Sequence, residues 1–155
     1  MHPSVMPGPD VPAWRLRPIS KADFEWAFAL HEAALGEYVE QTWGWDEEVQ
    51  RRMFSEAFDR QSRQVIEVDG HDVGVLVVEE RPDEVYLGLI ELVPSWQNRG
   101  LGTAILRRLL RRAEEARRQL SLHVLKSNPR AAALYEREGL RVVDSEPTKL
   151  LMRSA

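Results

Sequence analysis

The sequence predicts an α/β domain in which a twisted, mixed β-sheet carries helices on both faces. Short apolar runs alternate with stretches of helical periodicity in the order β α α β β β α β α β β. The strands before residue 100 follow one another through short turns, so we expect most of them to pair antiparallel. A helical crossover after residue 100 is expected to give a parallel pair. A sheet that combines both kinds of pairing buries its two faces under helices.

The length of the chain and its N-terminal composition set the domain boundary. The chain has 155 residues, which is enough for one domain with a substantial core. Residues 1–11 hold three prolines and one glycine, with little apolar surface to bury. We therefore expect residues 1–11 to form a flexible tail and residues 12–155 to form a single domain.

A strand and two helices are predicted to open the domain. Apolar and polar residues alternate over residues 14–17, which is typical of a strand. Ser20 and Asp23 form a capping-box pattern, with Asp in place of Glu, for a helix that continues to about Gln41. Asp46 is a good N-cap for the second helix.

The next segment predicts a β-meander of three strands. Residues 65–68 and 73–78 are β-branched runs, and residues 85–93 form the third apolar run. Asp69 and Gly70 join the first two runs and suit the positive φ angles of a tight turn.

Helices and strands alternate in the second half of the domain. Residues 101–118 have the pattern of a long helix, and residues 120–125 that of a strand. Asn128 suits the N-cap and Pro129 the first turn of a last helix, which Gly139 ends. Two final strands are expected over residues 140–143 and 149–152.

The composition excludes several classes of function. Because the chain has no cysteine, it has no disulfide, thiolate metal site or cysteine nucleophile, and we expect no metal. A net charge of −4 argues against a general nucleic-acid-binding protein. No apolar run reaches the roughly 20 residues that span a bilayer, and the N-terminus does not have the pattern of a signal peptide. We therefore expect a cytoplasmic protein that binds neither membranes nor nucleic acid.

A glycine-containing loop joins the third strand of the meander to the long helix, with the sequence Gln97-Asn98-Arg99-Gly100-Leu101-Gly102-Thr103. The glycines let the backbone approach a ligand closely. The unpaired N–H groups of the first helical turn attract an anion. Gly-x-Gly alone is also typical of an ordinary turn. A Walker A loop is excluded because no Gly-Lys-Ser/Thr follows, and a Rossmann fingerprint is disfavoured because its third glycine is absent.

The fuller pattern, Pro94-x-x-Gln97-x-x-Gly100-x-Gly102, resembles the acetyl-CoA signature of the GNAT superfamily of N-acetyltransferases. A second stretch lies after the next strand, where that family carries its Asn and Tyr: Asn128-Pro-Arg-Ala131-x-x-Leu134-Tyr135-Glu136-x-x-Gly139-Leu140. The resemblance covers residues 85–140. It implies that two neighbouring parallel strands splay apart, with acyl-CoA in the V-shaped opening and the acceptor on the other side.

The resemblance also implies a set of acetyl-CoA-binding residues. The pyrophosphate would lie on the N–H groups of residues 99–103, and Arg99 is either a helper or a solvated loop cation. The strand end at residues 91–93 would carry a bulge whose N–H bonds the thioester carbonyl. Asn128 would bond the pantetheine arm or only cap the helix. The full set is Leu92, Val93, Gln97, Arg99, Gly100, Leu101, Gly102, Thr103 and Asn128.

Tyr135 and Glu91 are the candidate catalytic residues. The resemblance makes Tyr135 the general acid that protonates the departing thiolate, and a packed structural tyrosine is the alternative. Glu91 lies in an otherwise apolar strand, so we expect it to face the cleft as general base rather than to be buried without a partner. The alternative is an ion pair with an arginine. His123 and Glu79 are reserve candidates for the base.

Family acceptor sites lie largely on the first two helices and their connection. In this chain Tyr38, Trp43 and Trp45 are interleaved with acidic residues, which suits a cationic amine. Gly44 would let both tryptophan rings face one cavity. The alternative is that the tryptophans are core residues and that the acids form a solvated face.

The long helix carries a crowd of arginines. They could bind a phosphate of CoA or RNA, but we expect a solvated face partly paired with Glu114 and Glu115 at helical spacing. The residues are Arg107, Arg108, Arg111, Arg112, Arg117 and Arg118.

Together these features predict an acyltransferase that moves an acetyl group from acetyl-CoA to a primary amine by direct attack in a ternary complex. A non-catalytic acyl-CoA-binding sensor is the alternative. The sequence leaves open whether the acceptor is a small molecule or a peptide, and whether the donor is acetyl-CoA or a longer acyl-CoA. The oligomeric state is also open, with a homodimer as one alternative.

Overall fold

A computed structural model describes residues 11–155, so residues 1–10 of the predicted tail lie outside the described part of the chain. The strands are β1 (Arg15–Pro18), β2 (Arg63–Val68), β3 (His71–Glu80), β4 (Glu84–Leu92), β5 (Gln119–Leu125), β6 (Arg141–Ser145) and β7 (Lys149–Arg153). The helices are α1 (Phe24–Trp43), α2 (Glu47–Arg60), α3 (Leu101–Glu115) and α4 (Pro129–Arg137).

The strands form one seven-stranded sheet in the order β1-β2-β3-β4-β5-β7-β6. Strands β1 to β4 pair antiparallel in chain order. β5 lies parallel to β4, with Glu84 opposite Gln119 and Leu87 opposite Leu122, because α3 carries the chain back between the two strands. β7 and β6 complete the sheet with antiparallel pairs. The predicted mixed sheet is confirmed.

Local sequence signals determine the turns and the helix starts. Asp69 and Gly70 have φ angles of 52° and 78° and form the tight turn between β2 and β3. The Asp46 side chain accepts a hydrogen bond from the Val49 N–H at 3.1 Å, which caps α2 as predicted.

Helices cover both faces of the sheet. Val75 and Leu76 are neighbours on β3, and their side chains enter two different apolar clusters on opposite faces. One cluster is built under α3 and α4 and includes Leu106. The other is built under α1 and α2 and includes Phe28 and Phe54.

Some boundaries and pairs differ from the predictions. Val11 packs against the core under α3, so the folded part includes residue 11, which we had placed in the tail. The helix predicted over residues 101–118 ends at Glu115. Three arginines of the predicted helix pair with acids from other elements instead of with Glu114 and Glu115, because the fold brings those acids closer. Arg107 pairs with Glu138, and Arg112 and Arg118 both pair with Glu80.

Within residues 11–155, no helix combines the length and the apolar character needed to cross a membrane.

An ion pair near the start of α1 couples stability to pH. The Arg17 guanidinium donates to the Asp23 carboxylate at 3.0 Å, and the Ser20 N–H donates to the same carboxylate at 2.8 Å. These hydrogen bonds, that of Arg17 above all, lower the pKa of Asp23 to about 2. Since the folded pKa lies below the unfolded one, the stabilisation is complete above about pH 4 and is lost as the pH falls toward 2.

We expect Asp23→Asn to lower the free energy of unfolding by about 1–2 kcal/mol at pH 7, a figure kept small by solvent around Arg17. At pH 2 most of the difference should be lost, because the pH then equals the folded pKa and about half of the wild-type carboxyl is protonated. Urea unfolding at both pH values measures this, with Asp59→Asn as the control at an exposed carboxylate of α2. Equal destabilisation at both pH values would contradict the ion-pair explanation.

Candidate active site

A V-shaped cleft opens between β4 and β5. The two strands pair only as far as Leu87 and Leu122, whereas β4 continues to Leu92 and β5 to Leu125. The unpaired ends therefore diverge, and a cavity of about 620 Å³ lies between them. The N-terminus of α3, one face of α4 and residues of α1 close its other sides.

The bulge on β4 lies nearer the start of the strand than predicted. Val77 pairs with Leu89 and Val78 pairs with Leu87, so Gly88 is the extra residue, and our placement over residues 91–93 is wrong. Gly88 follows the last residue that pairs with β5. The bulge therefore bends β4 away at the point where the cleft begins.

The free edge of β4 offers backbone groups to the cleft. The Val93 N–H donates to the Val73 carbonyl at 2.9 Å, toward β3, so it is not available as the predicted thioester donor. Backbone groups alternate sides along a strand, so the N–H groups of Ile90 and Leu92 point into the cleft. Both residues line the cavity, whereas Val93 does not. We had not predicted Ile90. Because N–H groups two residues apart on a strand point to the same side, the predicted Leu92 could have identified it.

The loop before α3 presents a helix N-terminus to the open end of the cleft. Gly100 is the N-cap, with φ of 86°, and no side chain caps the helix. The first intrahelical bond runs from the Ala104 N–H to the Gly100 carbonyl, so the N–H groups of residues 101–103 have no intrahelical partner. A Cβ on Gly102 would make an ordinary contact, with Leu92 Cδ1 at 3.8 Å as its nearest neighbour, so the position has room for one.

Two predicted side chains of this loop support its shape. Gln97 lines the cavity and donates from Nε2 to the Leu92 carbonyl at 2.9 Å. The Arg99 guanidinium lies 4.1 Å from the centre of the Trp96 ring and donates to the Ser95 carbonyl. Arg99 is not among the cavity-lining residues, so the backbone rather than this side chain faces a ligand. The predicted Leu101 is fully buried, whereas Thr103 lines the cavity.

The start of α4 forms the opposite wall. The Asn128 side-chain oxygen accepts the Ala131 N–H at 3.2 Å, which caps α4. Asn128 also lines the cavity, so its NH₂ group remains for a ligand. Arg130, which we had not predicted, lines the same wall and donates to the Asn98 side chain.

Tyr135 projects from α4 into the cavity wall. Burial raises the pKa of its phenol, so the hydroxyl stays protonated through neutral pH. A buried, protonated phenol can donate a proton to a thiolate that forms beside it.

Glu91 is among the residues that line the cavity, but its carboxylate is buried. Its side chain is 1% exposed, and Oε2 lies 2.7 Å from His31 Nδ1 on α1. Oε1 has no partner, and neither do Nε and Nη1 of the nearby Arg63 among the described residues. Burial lowers the pKa of Arg63, and the charge of Glu91 acts in the opposite direction. The predicted general base is therefore enclosed between the sheet and α1, with a histidine rather than an arginine as its direct partner.

A second polar cluster lies at the closed end of the cleft. His123 lines the cavity as the first β5 residue beyond the last pair with β4. Its Nδ1 lies 2.5 Å from the Tyr86 hydroxyl, and its Nε2 lies 3.1 Å from Glu146. Sequence reasoning gave His123 only as a reserve and missed both partners, because they lie 37 and 23 residues away along the chain.

The three predicted acceptor residues do not share one wall. Tyr38 lines the cavity from α1. Trp45 packs beside Phe28 and His31 and donates from Nε1 to Glu47 at 3.1 Å. Trp43 is 61% exposed, so neither the shared cavity nor the alternative of a core residue is correct for it.

In the described part of the chain, no group of three or more His, Cys, Asp or Glu side chains is arranged to hold a metal ion.

Comparison with known families matches residues 24–140 to the model of the Acetyltransferase (GNAT) family. No curated protein matches the sequence.

The fold is shared with solved structures of low sequence identity. The chain resembles the PaiA N-acetyltransferase of Thermoplasma acidophilum in complex with coenzyme A, with 14% identity and a TM-score of 0.71 over 92% of this chain and 98% of that chain. It also resembles an acetyltransferase of Thermus thermophilus, with 19% identity and a TM-score of 0.69 over 93% and 96%. A third is a GNAT family acetyltransferase of Elizabethkingia anophelis with acetyl-CoA bound, with 14% identity and a TM-score of 0.63 over 91% and 97%.

Proposed function

The chain belongs to the GNAT acetyltransferase family, and on that premise we propose that it transfers an acetyl group from acetyl-CoA to a primary amine in a ternary complex. The observation that carries this proposal is the single cleft that joins an uncapped helix N-terminus to a protonated buried tyrosine. The first is a phosphate site, and the second is a proton donor.

The residues at the open end of the cleft fit the pyrophosphate of acetyl-CoA. The N–H groups of residues 101–103 supply donors at the positive end of the α3 dipole. The space beside Gly102 lets a phosphate approach the backbone. Because Arg99 lies on Trp96, we assign the recognition to the backbone and to the Thr103 hydroxyl.

The two walls of the cleft fit an extended pantetheine arm. The free N–H groups of Ile90 and Leu92 would pair with its amides as an added strand does. The Asn128 NH₂ group would bond the arm from the opposite wall. Bound acetyl-CoA would supply an activated thioester carbonyl for attack by an amine.

Tyr135 would then act as general acid. Tyr135 lines the cleft and its phenol stays protonated, so it can give its proton to the sulfur of the leaving thiolate. Burial of the ring keeps bulk water from competing for that role.

We propose a cationic amine as the acceptor. Tyr38 of α1 lines the cavity, and the carboxylate of Glu146 lies beside His123 at its closed end. An aromatic face and a carboxylate both favour a cation. This assignment replaces the predicted acceptor site of Tyr38, Trp43 and Trp45. Trp43 is left out of the site because its side chain is exposed.

A thiol-release assay with acetyl-CoA and a panel of acceptors tests the function. The panel contains cationic diamines, amino-acid amides and peptides with a free N-terminal amine. Alcohols and anionic amines are the controls. We expect thiol release and a product heavier by one acetyl group only with primary amines, fastest with the cationic ones. Calorimetric binding of acetyl-CoA without release for any amine would instead indicate the sensor function.

A further inference from the structure

The cluster of Tyr86, His123 and Glu146 has no role in the proton transfers argued so far, and of its three side chains His123 lines the cavity. We propose that these side chains form a proton relay in which His123, rather than Glu91, takes the proton of the acceptor amine. This proposal rests on the proposed function and names the base of the same site. Three segments of the chain supply the relay: β4, β5 and the loop between β6 and β7.

The hydrogen bonds of His123 determine where its proton lies. Glu146 is a carboxylate that can only accept, so the hydrogen bond of 3.1 Å places a proton on Nε2. In the neutral imidazole Nδ1 then has the free lone pair, and the Tyr86 hydroxyl donates to it at 2.5 Å. Burial raises the pKa of Tyr86, which keeps this hydroxyl protonated. Tyr86 is therefore the donor, His123 the base and Glu146 the carboxylate that orients the base, as in a catalytic triad.

The position of the relay matches the place where the acyl group has to react. The phosphate site lies at the open end of the cleft, so an extended arm brings its acyl end toward the apex. His123 and Gly88 are the first unpaired residues of the two strands at that apex. The carboxylate of Glu91, by contrast, is 1% exposed and bonds His31 on α1.

The charges around the relay are mixed. The Arg81 guanidinium lies 4.0 Å from the centre of the Tyr86 ring, and it pairs with Glu79 and Glu84. On the other side, Lys149 of β7 lies 4.0 Å from Glu146. The His123 side chain is 28% exposed, so a proton that reaches the imidazole can leave to solvent.

The proposed step conserves protons and bonds. The acceptor nitrogen forms the new C–N bond as the C–S bond breaks, so the nitrogen loses one proton and the sulfur gains one. The nitrogen's proton passes through a bridging water to the Tyr86 oxygen, because Tyr86 is not among the residues that line the cavity, while the Tyr86 hydroxyl proton moves to His123 Nδ1. The resulting imidazolium keeps its bond to Glu146 and releases one proton to solvent. Tyr135 protonates the sulfur and regains its proton from solvent, and a cationic amine loses one further proton before it attacks.

His123→Gln is the central test, measured as kcat and kcat/KM against pH together with calorimetric acetyl-CoA affinity. We expect kcat to fall about 10²-fold with the affinity unchanged, and the decline of kcat toward acid pH to disappear. The decline of kcat/KM is not decisive, because the free amine is itself protonated toward acid pH in every variant. Tyr86→Phe should lower kcat less, because water can bridge to Nδ1. His71→Gln is the matched control, an exposed histidine at the start of β3 that should keep the wild-type pH profile.

Glu91→Gln separates this relay from the alternative base. It should keep the decline of kcat toward acid pH, because the imidazole of His123 is intact. The proposal is overturned if His123→Gln keeps wild-type kcat and that decline, or if Glu91→Gln alone removes it.

An NMR measurement of the His123 ring nitrogens in the wild type gives a readout that does not depend on turnover. In the wild type we expect the neutral tautomer with the proton on Nε2. In Glu146→Gln, which lacks the orienting carboxylate, we expect a mixture of the two neutral tautomers. A proton on Nδ1 in the wild type would overturn the relay even if the enzyme is active. Absence of thiol release with every amine would overturn the proposed function, and the tautomer would still decide the relay.

Discussion

Replacing Gly102 with Asp is expected to weaken acetyl-CoA binding about 10²-fold, or about 2.7 kcal/mol, while the protein still folds. A Cβ at this position has its nearest neighbour at 3.8 Å, so the fold accommodates the side chain. An acidic residue in the first turn of α3 even complements the helix dipole. The carboxylate would lie where the pyrophosphate binds, however, and like charges in one site repel.

Calorimetry with acetyl-CoA and a thermal melt measure the two effects of Gly102→Asp separately. Gly102→Ala is the matched control, because it adds the Cβ without the charge and should weaken binding far less. Wild-type affinity in the Asp variant would show that the phosphate binds elsewhere. A lower melting temperature with a proportionate loss of affinity would point to a folding defect instead.

The second large effect is expected for Tyr135→Phe, which should lower kcat about 10²-fold and leave acetyl-CoA affinity unchanged. Phenylalanine keeps the ring that packs against the core under α3 and removes only the hydroxyl. Because burial raises the pKa of Tyr135, the wild type should keep its activity to higher pH than an exposed tyrosine would allow. The sign follows from the requirement that a general acid be protonated before the step.

Steady-state kinetics with the best amine of the panel, from neutral to alkaline pH, measure the effect of Tyr135→Phe. The alkaline decline of kcat should be absent or altered in the variant, because the titrating phenol is gone. A kcat within about twofold of wild type would mean that another group or water protonates the thiolate, since a lost general acid costs far more than this. Tyr135 would then be a wall residue only.

Predictions that rest on neighbouring residues agree with the structure. Asp69 and Gly70 make their turn because both adopt positive φ, a property of two adjacent residues. Asp46 and Asn128 cap their helices because each side chain reaches an N–H three residues away. The order of the elements follows from the same kind of information, since periodicity and turn residues act within one segment. The mixed sheet then follows from the length of each connection.

The role of a side chain depends instead on which distant elements pack around it. Glu91 had the sequence context of an isolated carboxylate, but α1 covers it and His31 bonds it across 60 residues of chain. Trp43 shares its short segment with Trp45, yet the end of α1 turns its ring to solvent. Arg107 of α3 pairs with Glu138, which follows α4, and Arg112 of α3 pairs with Glu80 of β3.

The sequence by itself therefore determined the fold class, the positions of the glycine loop and of Tyr135, and the family to which they belong. Only the tertiary structure decided which backbone groups of β4 face the cleft, because that depends on the bulge at Gly88 and on pairing with β3. It also decided which polar groups meet at the apex of the cleft. Tyr86, His123 and Glu146 lie on separate segments, and their hydrogen bonds exist only once β4, β5 and β7 are aligned in one sheet.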